Sequence, residues 1–186
     1  MNIKINGKVV TEPEVIKVFS KGNKLYQCYI ENKRLSDKVD TIRVTYMNQD
    51  ISYGDCIYVE GDVRSIKLND RSNIYVHAKS VEVLPCIDKY VNLVIGSGIL
   101  NRDIVFRRKK DDDNVSIADM ILRESRGRGR HSYIYCSVWT GNVEKCRDFS
   151  VEDTIDIVGR LQSQKHDDGF SAEVSVMKLR KGVQNI

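Results

Sequence analysis

The segment Ile155-Asp156-Ile157-Val158-Gly159-Arg160-Leu161-Gln162-Ser163 decides the fold, because the same grammar stands earlier in the chain as Ile57-Tyr58-Val59-Glu60-Gly61-Asp62-Val63-Arg64-Ser65. In both, apolar and polar residues alternate as they do along a half-buried strand, one glycine interrupts the run, and a serine closes it. Working outward, each segment follows a strand opening, Asn2-Ile3-Lys4-Ile5-Asn6-Gly7 in one case and Asn92-Leu93-Val94-Ile95-Gly96 in the other. From Asn2 to Gly61 is 59 positions and from Asn92 to Gly159 is 67, so the extra residues of the second copy read as loop. The 186 residues are thus one small all-β unit written twice, residues 1–85 and 90–186, joined by Leu84-Pro85-Cys86-Ile87-Asp88-Lys89.

Alternation predicts five strands per copy. The first copy places them at 3–10, 25–31, 41–46, 56–67 and 73–83, and the second at 91–100, 115–123, 131–139, 154–164 and 170–179. Turn residues separate them, among them Glu12-Pro13, Lys21-Gly22-Asn23 and Asn69-Asp70-Arg71-Ser72. Between its third and fourth strands the second copy has room for a short helix through Val143 to Cys146. Five strands, an insertion before the fourth, and a glycine where that long fourth strand must bend predict two tandem five-stranded OB-fold barrels; an SH3-like barrel lacks the insertion.

The composition, 41% hydrophobic and 30% charged, is that of a globular protein, and no apolar run approaches the ~20 residues of a membrane helix. Met1 leads straight into a strand pattern without a signal peptide's apolar core, so a cytoplasmic protein is expected. The five cysteines, Cys28, Cys56, Cys86, Cys136 and Cys146, include no Cys-x-x-Cys pair, and no metal or other cofactor is expected. Three of them, Cys28, Cys56 and Cys136, fall inside strand patterns, as small buried hydrophobes do. His77, His131 and His166 are scattered, and no phosphate-binding glycine loop or nucleophile cluster forms, so an enzyme is not expected. Asp111-Asp112-Asp113 lacks further cation ligands and reads as a turn.

Net charge is +4, but ten of the fourteen arginines lie in the second half. Arginine's planar fork binds phosphate bidentately and stacks on bases, which makes the second copy the better surface for a polyanion. Its third strand reads His131-Ser132-Tyr133-Ile134-Tyr135-Cys136-Ser137-Val138-Trp139. Period two sends Ile134, Cys136 and Val138 inward and lines Tyr133, Tyr135 and Trp139 along the outer face. Such a row either stacks the bases of a single strand or packs against another protein surface. The preceding loop, Arg126-Gly127-Arg128-Gly129-Arg130, hangs arginines over the Tyr133 end. Arg107, in the run Arg107-Arg108-Lys109-Lys110, and Lys165 are further candidate phosphate contacts. In the first copy the matching strand buries Ile42, Val44 and Tyr46 and presents Thr41, Arg43, Thr45 and Met47, without an aromatic row. Arg43, Lys67 and Lys79 there could touch backbone, or the first copy serves assembly.

The second copy resembles the bacterial single-stranded DNA-binding protein family. The resemblance lies in Val91-Asn92-Leu93-Val94-Ile95-Gly96, the strand Tyr133 to Trp139 followed by Thr140-Gly141, Asp156 to Ser163, and Phe170-Ser171-Ala172-Glu173-Val174. The first copy matches more loosely through Asn2 to Val9 and Gly54 to Gly61. The resemblance implies base stacking by Tyr133 and Trp139, with His166 standing where the family often has another aromatic. It implies single-stranded DNA as the partner, RNA being an alternative because stacking does not choose the sugar. It also implies four barrels in the working assembly, which two copies of this chain would supply as a homodimer. The chain stops at Leu179-Arg180-Lys181-Gly182-Val183-Gln184-Asn185-Ile186, without the family's disordered linker and acidic tip, and so is similar to the tailless primosomal replication protein N. The competing expectation is an adaptor in a replication-restart or mobile-element complex, its aromatic row an interface.

Overall fold

The computed structural model describes residues 1–68, 71–109, 112–166 and 169–182. The turn residues Asn69-Asp70 and Lys110-Asp111, and the side chains of Lys67 and Asp113, lie outside the described set. Among the described residues twelve strands form in chain order. The first six are β1 (Asn2–Val9), β2 (Glu14–Val18), β3 (Lys24–Lys33), β4 (Val39–Met47), β5 (Cys56–Leu68) and β6 (Arg71–Leu84). The second six are β7 (Asn92–Leu100), β8 (Val105–Lys109), β9 (Asp112–Ser125), β10 (His131–Trp139), β11 (Thr154–His166) and β12 (Gly169–Lys181).

Each half closes on itself. In the first, β1 pairs antiparallel with both β5 and β3, β3 with β4, β5 with β6, and β4 meets β6 in parallel, so five strands complete a circuit. The second repeats this with β7, β9, β10, β12 and β11. These are the two expected OB-fold barrels. Short 3-10 turns at Thr140–Asn142 and Glu144–Asp148 occupy the place of the helix expected before the fourth strand of the second copy. Each interior is filled by alternate residues: Ile5, Ile30, Ile42, Val44, Val59 and Val76 in one, Val94, Leu122, Ile134, Val138, Leu161 and Val174 in the other. Cys28, Cys136 and Cys146 are buried among them, whereas Cys86 is exposed.

The glycines of the deciding segments mark the bends. Pairing slips by one residue between Glu60 and Gly61 and again between Val158 and Gly159, a bulge that turns the long strand around the barrel. A Cβ at Gly61 would stand 2.3 Å from the His77 carbonyl oxygen, and one at Gly159 would stand 2.6 Å from that of Ser175. No side chain fits at either place, which is why the grammar of both segments contains glycine.

Two elements differ from expectation. β2 lies in a stretch to which alternation assigns no strand and β8 overlaps the charged run at Arg107, yet each folds back as a short edge strand on β3 and β9, exposed at every position. A strand with no buried face has no reason to alternate, so periodicity could not reveal it.

The barrels join through a continuous sheet, β1 running antiparallel to β7 with Asn2 opposite Ile95 and Ile5 opposite Asn92. Asn6 fixes the connecting segment: its side chain donates to the Lys89 carbonyl at 2.8 Å and accepts from the Val91 amide at 2.8 Å. The serines that close the two deciding segments are used reciprocally. Ser65 Oγ accepts the Tyr133 amide at 2.8 Å, and Ser163 Oγ accepts the Thr41 amide at 2.9 Å. Thr41 and Tyr133 hold corresponding positions at the starts of β4 and β10, so the barrels face each other in an approximately two-fold manner.

Candidate nucleic-acid interface

On the outer face of β10, Tyr133 and Tyr135 are 40% and 36% exposed. His131, whose ring centroid lies 6.5 Å from that of Tyr133, extends the row by one further ring. Beyond Tyr135 the row is interrupted. Ser137 is 0% exposed although it belongs to the outer face, because Glu173 of β12 lies over it and accepts its hydroxyl at 2.9 Å. Trp139 follows as a half-buried ring whose Nε1 is enclosed without an acceptor among the described residues. The expected platform of three rings is therefore two open tyrosines and a recessed tryptophan.

The centre of this face is acidic. Asp119 stands opposite Ser137 across β9 and β10, and Arg107 of β8 donates to both carboxylate oxygens of Asp119 from Nε and Nη2. Burial lifts the Glu173 carboxyl above its ordinary value; the Ser137 hydroxyl opposes that rise and the Asp119 charge adds to it. Arg107 was expected to contact phosphate, but its charge is committed to Asp119.

The rim is basic. The Arg126 amide donates to the Arg130 carbonyl at 2.8 Å, closing a tight loop in which Gly127, Arg128 and Gly129 all have positive φ. Arg128 and Arg130 are exposed, with no ion pair among the described residues. Arg126 departs from expectation: its side chain, 17% exposed, turns inward to Glu124 at 3.3 Å and Asp62 at 3.8 Å. The cause is the neighbouring barrel, which brings Asp62 to the base of the loop. Lys165 is exposed at the far end of β11, opposite Phe170. The His166 ring beside it bonds with Ser171 Oγ at 2.7 Å. Arg43, on the first barrel, is half-buried with its guanidinium 5.6 Å from the Tyr75 ring centroid.

No protein-family model matches the chain, and no curated protein matches it. Among solved structures, the wild-type single-stranded DNA-binding protein of Thermus aquaticus superposes with a TM-score of 0.80 at 17% identity, covering 100% of this chain and 94% of that one. A deletion mutant of the same protein gives 0.78 at 17% identity, covering 100% and 95%. The N-terminal domain of PriB from Thermoanaerobacter tencongensis covers 45% of this chain and 96% of its own at 27% identity, with a TM-score of 0.40. Our chain has the fold of a bacterial single-stranded DNA-binding protein.

On that OB-fold scaffold, a second basic feature escaped the sequence reading. Arg108, Arg147 and Phe106 line a groove of about 350 Å³ beside Arg107, with the Arg147 guanidinium 5.1 Å from the Phe106 ring. Arg147 comes from the 3-10 turn and Phe106 from an unanticipated edge strand, so no local pattern joins them. Among the described residues there is no cluster of metal-ligating side chains, and no helix is long and apolar enough to cross a membrane.

His77, on the outer face of β6 with its Nδ1 3.0 Å from Thr45 Oγ1, gives this fold a pH signature. Burial, reinforced by Arg64, pushes its pKa down from 6.5 to about 4. The folded state favours the neutral ring, so this contribution is complete above about pH 6.5 and is lost as pH falls through about 4. Urea unfolding should show up to about 2–3 kcal/mol less stability near pH 4.5 than at pH 7.5 from this group. In His77→Gln the part of the decline lying between pH 6.5 and 5 should flatten. An unchanged profile would place the His77 ring in water.

Proposed function

We propose that this chain binds single-stranded DNA without sequence preference, in the service of replication, recombination or repair, and carries no chemistry of its own. Residues 1–85 and 90–186 are its two domains. Tyr133 and Tyr135 stack bases, Trp139 borders the end of the path, and Arg128, Arg130 and Lys165 hold phosphates, with RNA as an alternative ligand. The observation that carries this reading is the pair of open tyrosines on β10, preceded by a loop whose Arg128 and Arg130 are exposed and in no ion pair among the described residues. The outer face of the second and third strands, with the loop between the fourth and fifth, is where OB-folds take up oligonucleotides. Here that surface belongs to β9, β10 and the β11–β12 hairpin. A homodimer, which would set four barrels together, completes the proposal.

A protein-docking adaptor is the second reading. The edge strands β2 and β8 favour it, since they stand at the two ends of the sheet and expose Val15, Ile16, Val18, Val105 and Phe106.

Salt separates the two. Fluorescence anisotropy of a labelled oligothymidine should give binding that weakens with salt, with a slope in log K against log salt near −2, as about three displaced phosphate counterions at roughly −0.7 each require. Absent or salt-independent binding by the folded protein would move the adaptor reading to first place.

A further inference from the structure

The near two-fold relation of the barrels brings a hairpin of each against the long fourth strand of the other, and the two seams so formed differ in charge. Arg34 and Arg126 hold corresponding places. Each directly follows the strand it leaves, β3 or β9, and donates its amide across the loop at 2.8 Å, to the Lys38 carbonyl in one case and the Arg130 carbonyl in the other. At the seam of Arg126 the facing residue is Asp62, 3.8 Å away, with Glu124 at 3.3 Å. At the seam of Arg34 it is Arg160, which follows Gly159 as Asp62 follows Gly61. The Arg126 guanidinium thus lies between two carboxylates, whereas Arg34 and Arg160 share the neighbourhood of one, Asp40.

Asp40 has no capacity left for Arg160. It accepts two N–H groups of Arg34 and the Ser163 amide, and it is 0% exposed. Arg160 is half-buried and has neither an ion-pair nor a hydrogen-bond partner among the described residues. Burial, reinforced by the Arg34 charge and opposed by Asp40, holds its pKa below the ordinary arginine value. Beside it opens a cavity of about 620 Å³, a size within the roughly 300–1,000 Å³ of small-molecule sites. Lys89, from the segment joining the barrels, also lines the cavity and is in no ion pair among the described residues, and Asp88 is the one carboxylate in the wall. Part of the wall is apolar, with Tyr90, Met177 and Leu35 all exposed.

We propose that this seam cavity binds a small phosphate monoester carrying a planar ring, of the class of a nucleoside monophosphate, with its phosphate at Arg160 and its ring against Tyr90 and Met177. The guanidinium fork takes two phosphate oxygens at once, and Lys89 supplies a second, point-like cation for the second charge, which a single carboxylate does not carry. Tyr90 offers a face for stacking and Met177 a soft, adaptable contact. The cavity shares no residue with the tyrosine face of β10, so its occupant is a free small molecule and not a strand held there. That occupant would touch the first barrel at the β3–β4 hairpin, the joining segment at Lys89 and Tyr90, and the second barrel at Arg160 and Met177, so it would tie the two barrels together as it neutralises the odd charge between them.

Calorimetric titration of the full chain with adenosine monophosphate, adenosine and inorganic phosphate tests the site. Adenosine monophosphate should bind about tenfold or more tightly than inorganic phosphate, as one stacked ring requires, and adenosine should bind more weakly than either. Arg160→Gln should weaken the monophosphate about 10- to 100-fold, as loss of hydrogen bonds to a charged group does. Tyr133→Ala with Tyr135→Ala should leave it at wild-type affinity. No binding by the wild type, or undiminished binding by Arg160→Gln, would overturn the site. So would loss of binding in the double tyrosine variant, which would move the ligand to the β10 face. Thermal unfolding checks that the variants fold. Should Arg160→Gln not fold, methyl NMR of the methionine-labelled wild type decides the matter. The Met177 signal, assigned through Met177→Leu, should shift under the ring current of the bound monophosphate, and a Met177 signal unmoved at saturation contradicts the site.

Discussion

Replacing Tyr133 and Tyr135 together by alanine should cost on the order of 10²-fold or more in affinity for oligothymidine, since each stacked base is worth about 1–3 kcal/mol. The argument is geometric. The two rings are the most open aromatic surface of β10, and Ile134 between them is fully buried, so truncating them leaves the interior untouched. Folding stability should therefore change little while binding collapses. The salt dependence should stay, because Arg128 and Arg130 remain. A double variant that binds as well as wild type would dismiss the β10 face as a ligand surface.

The second large effect is on stability. Asp40 is 0% exposed, Arg34 is 13% exposed, and the guanidinium grips the carboxylate through two N–H groups, one of them at 2.6 Å. The same carboxylate accepts the Ser163 amide from the other barrel at 2.8 Å, so it serves the barrel seam as well as its own hairpin. Arg34→Met leaves a buried charge without its partner and should lower the unfolding free energy by about 3–5 kcal/mol. Asp40→Asn with Arg34→Met removes the orphaned charge and should recover much of that loss. Urea titration of the three proteins measures both. A loss under about 1 kcal/mol in the single variant would mean that water reaches Asp40, as it does at surface pairs.

The repeat was legible because barrel interiors impose strict alternation, and because Gly61 and Gly159 face carbonyls too near to admit a Cβ. The site was only half legible. Period two identifies which face Tyr133, Tyr135 and Trp139 share, but it cannot tell that Glu173, arriving from a distant strand, closes the space over Ser137 and divides the row. Nor can it tell that Arg126 of the loop meets Asp62 of the other barrel. Charges and rings brought together across strands are properties of pairing, and pairing register is not written in any single strand.

The reciprocal serine contacts set two unlike faces in a nearly two-fold arrangement. Two identical barrels about a dyad would present the same surface to a strand laid in either direction. In this chain the outer face of the first barrel sets Tyr29, Arg43, Tyr75 and Arg64 side by side across β3, β4, β6 and β5, whereas that of the second carries Tyr133 and Tyr135 beside an arginine loop. The symmetry of the scaffold is thus undone by its decoration, and the molecule acquires a polarity: the outer face of one barrel differs in chemistry from that of the other.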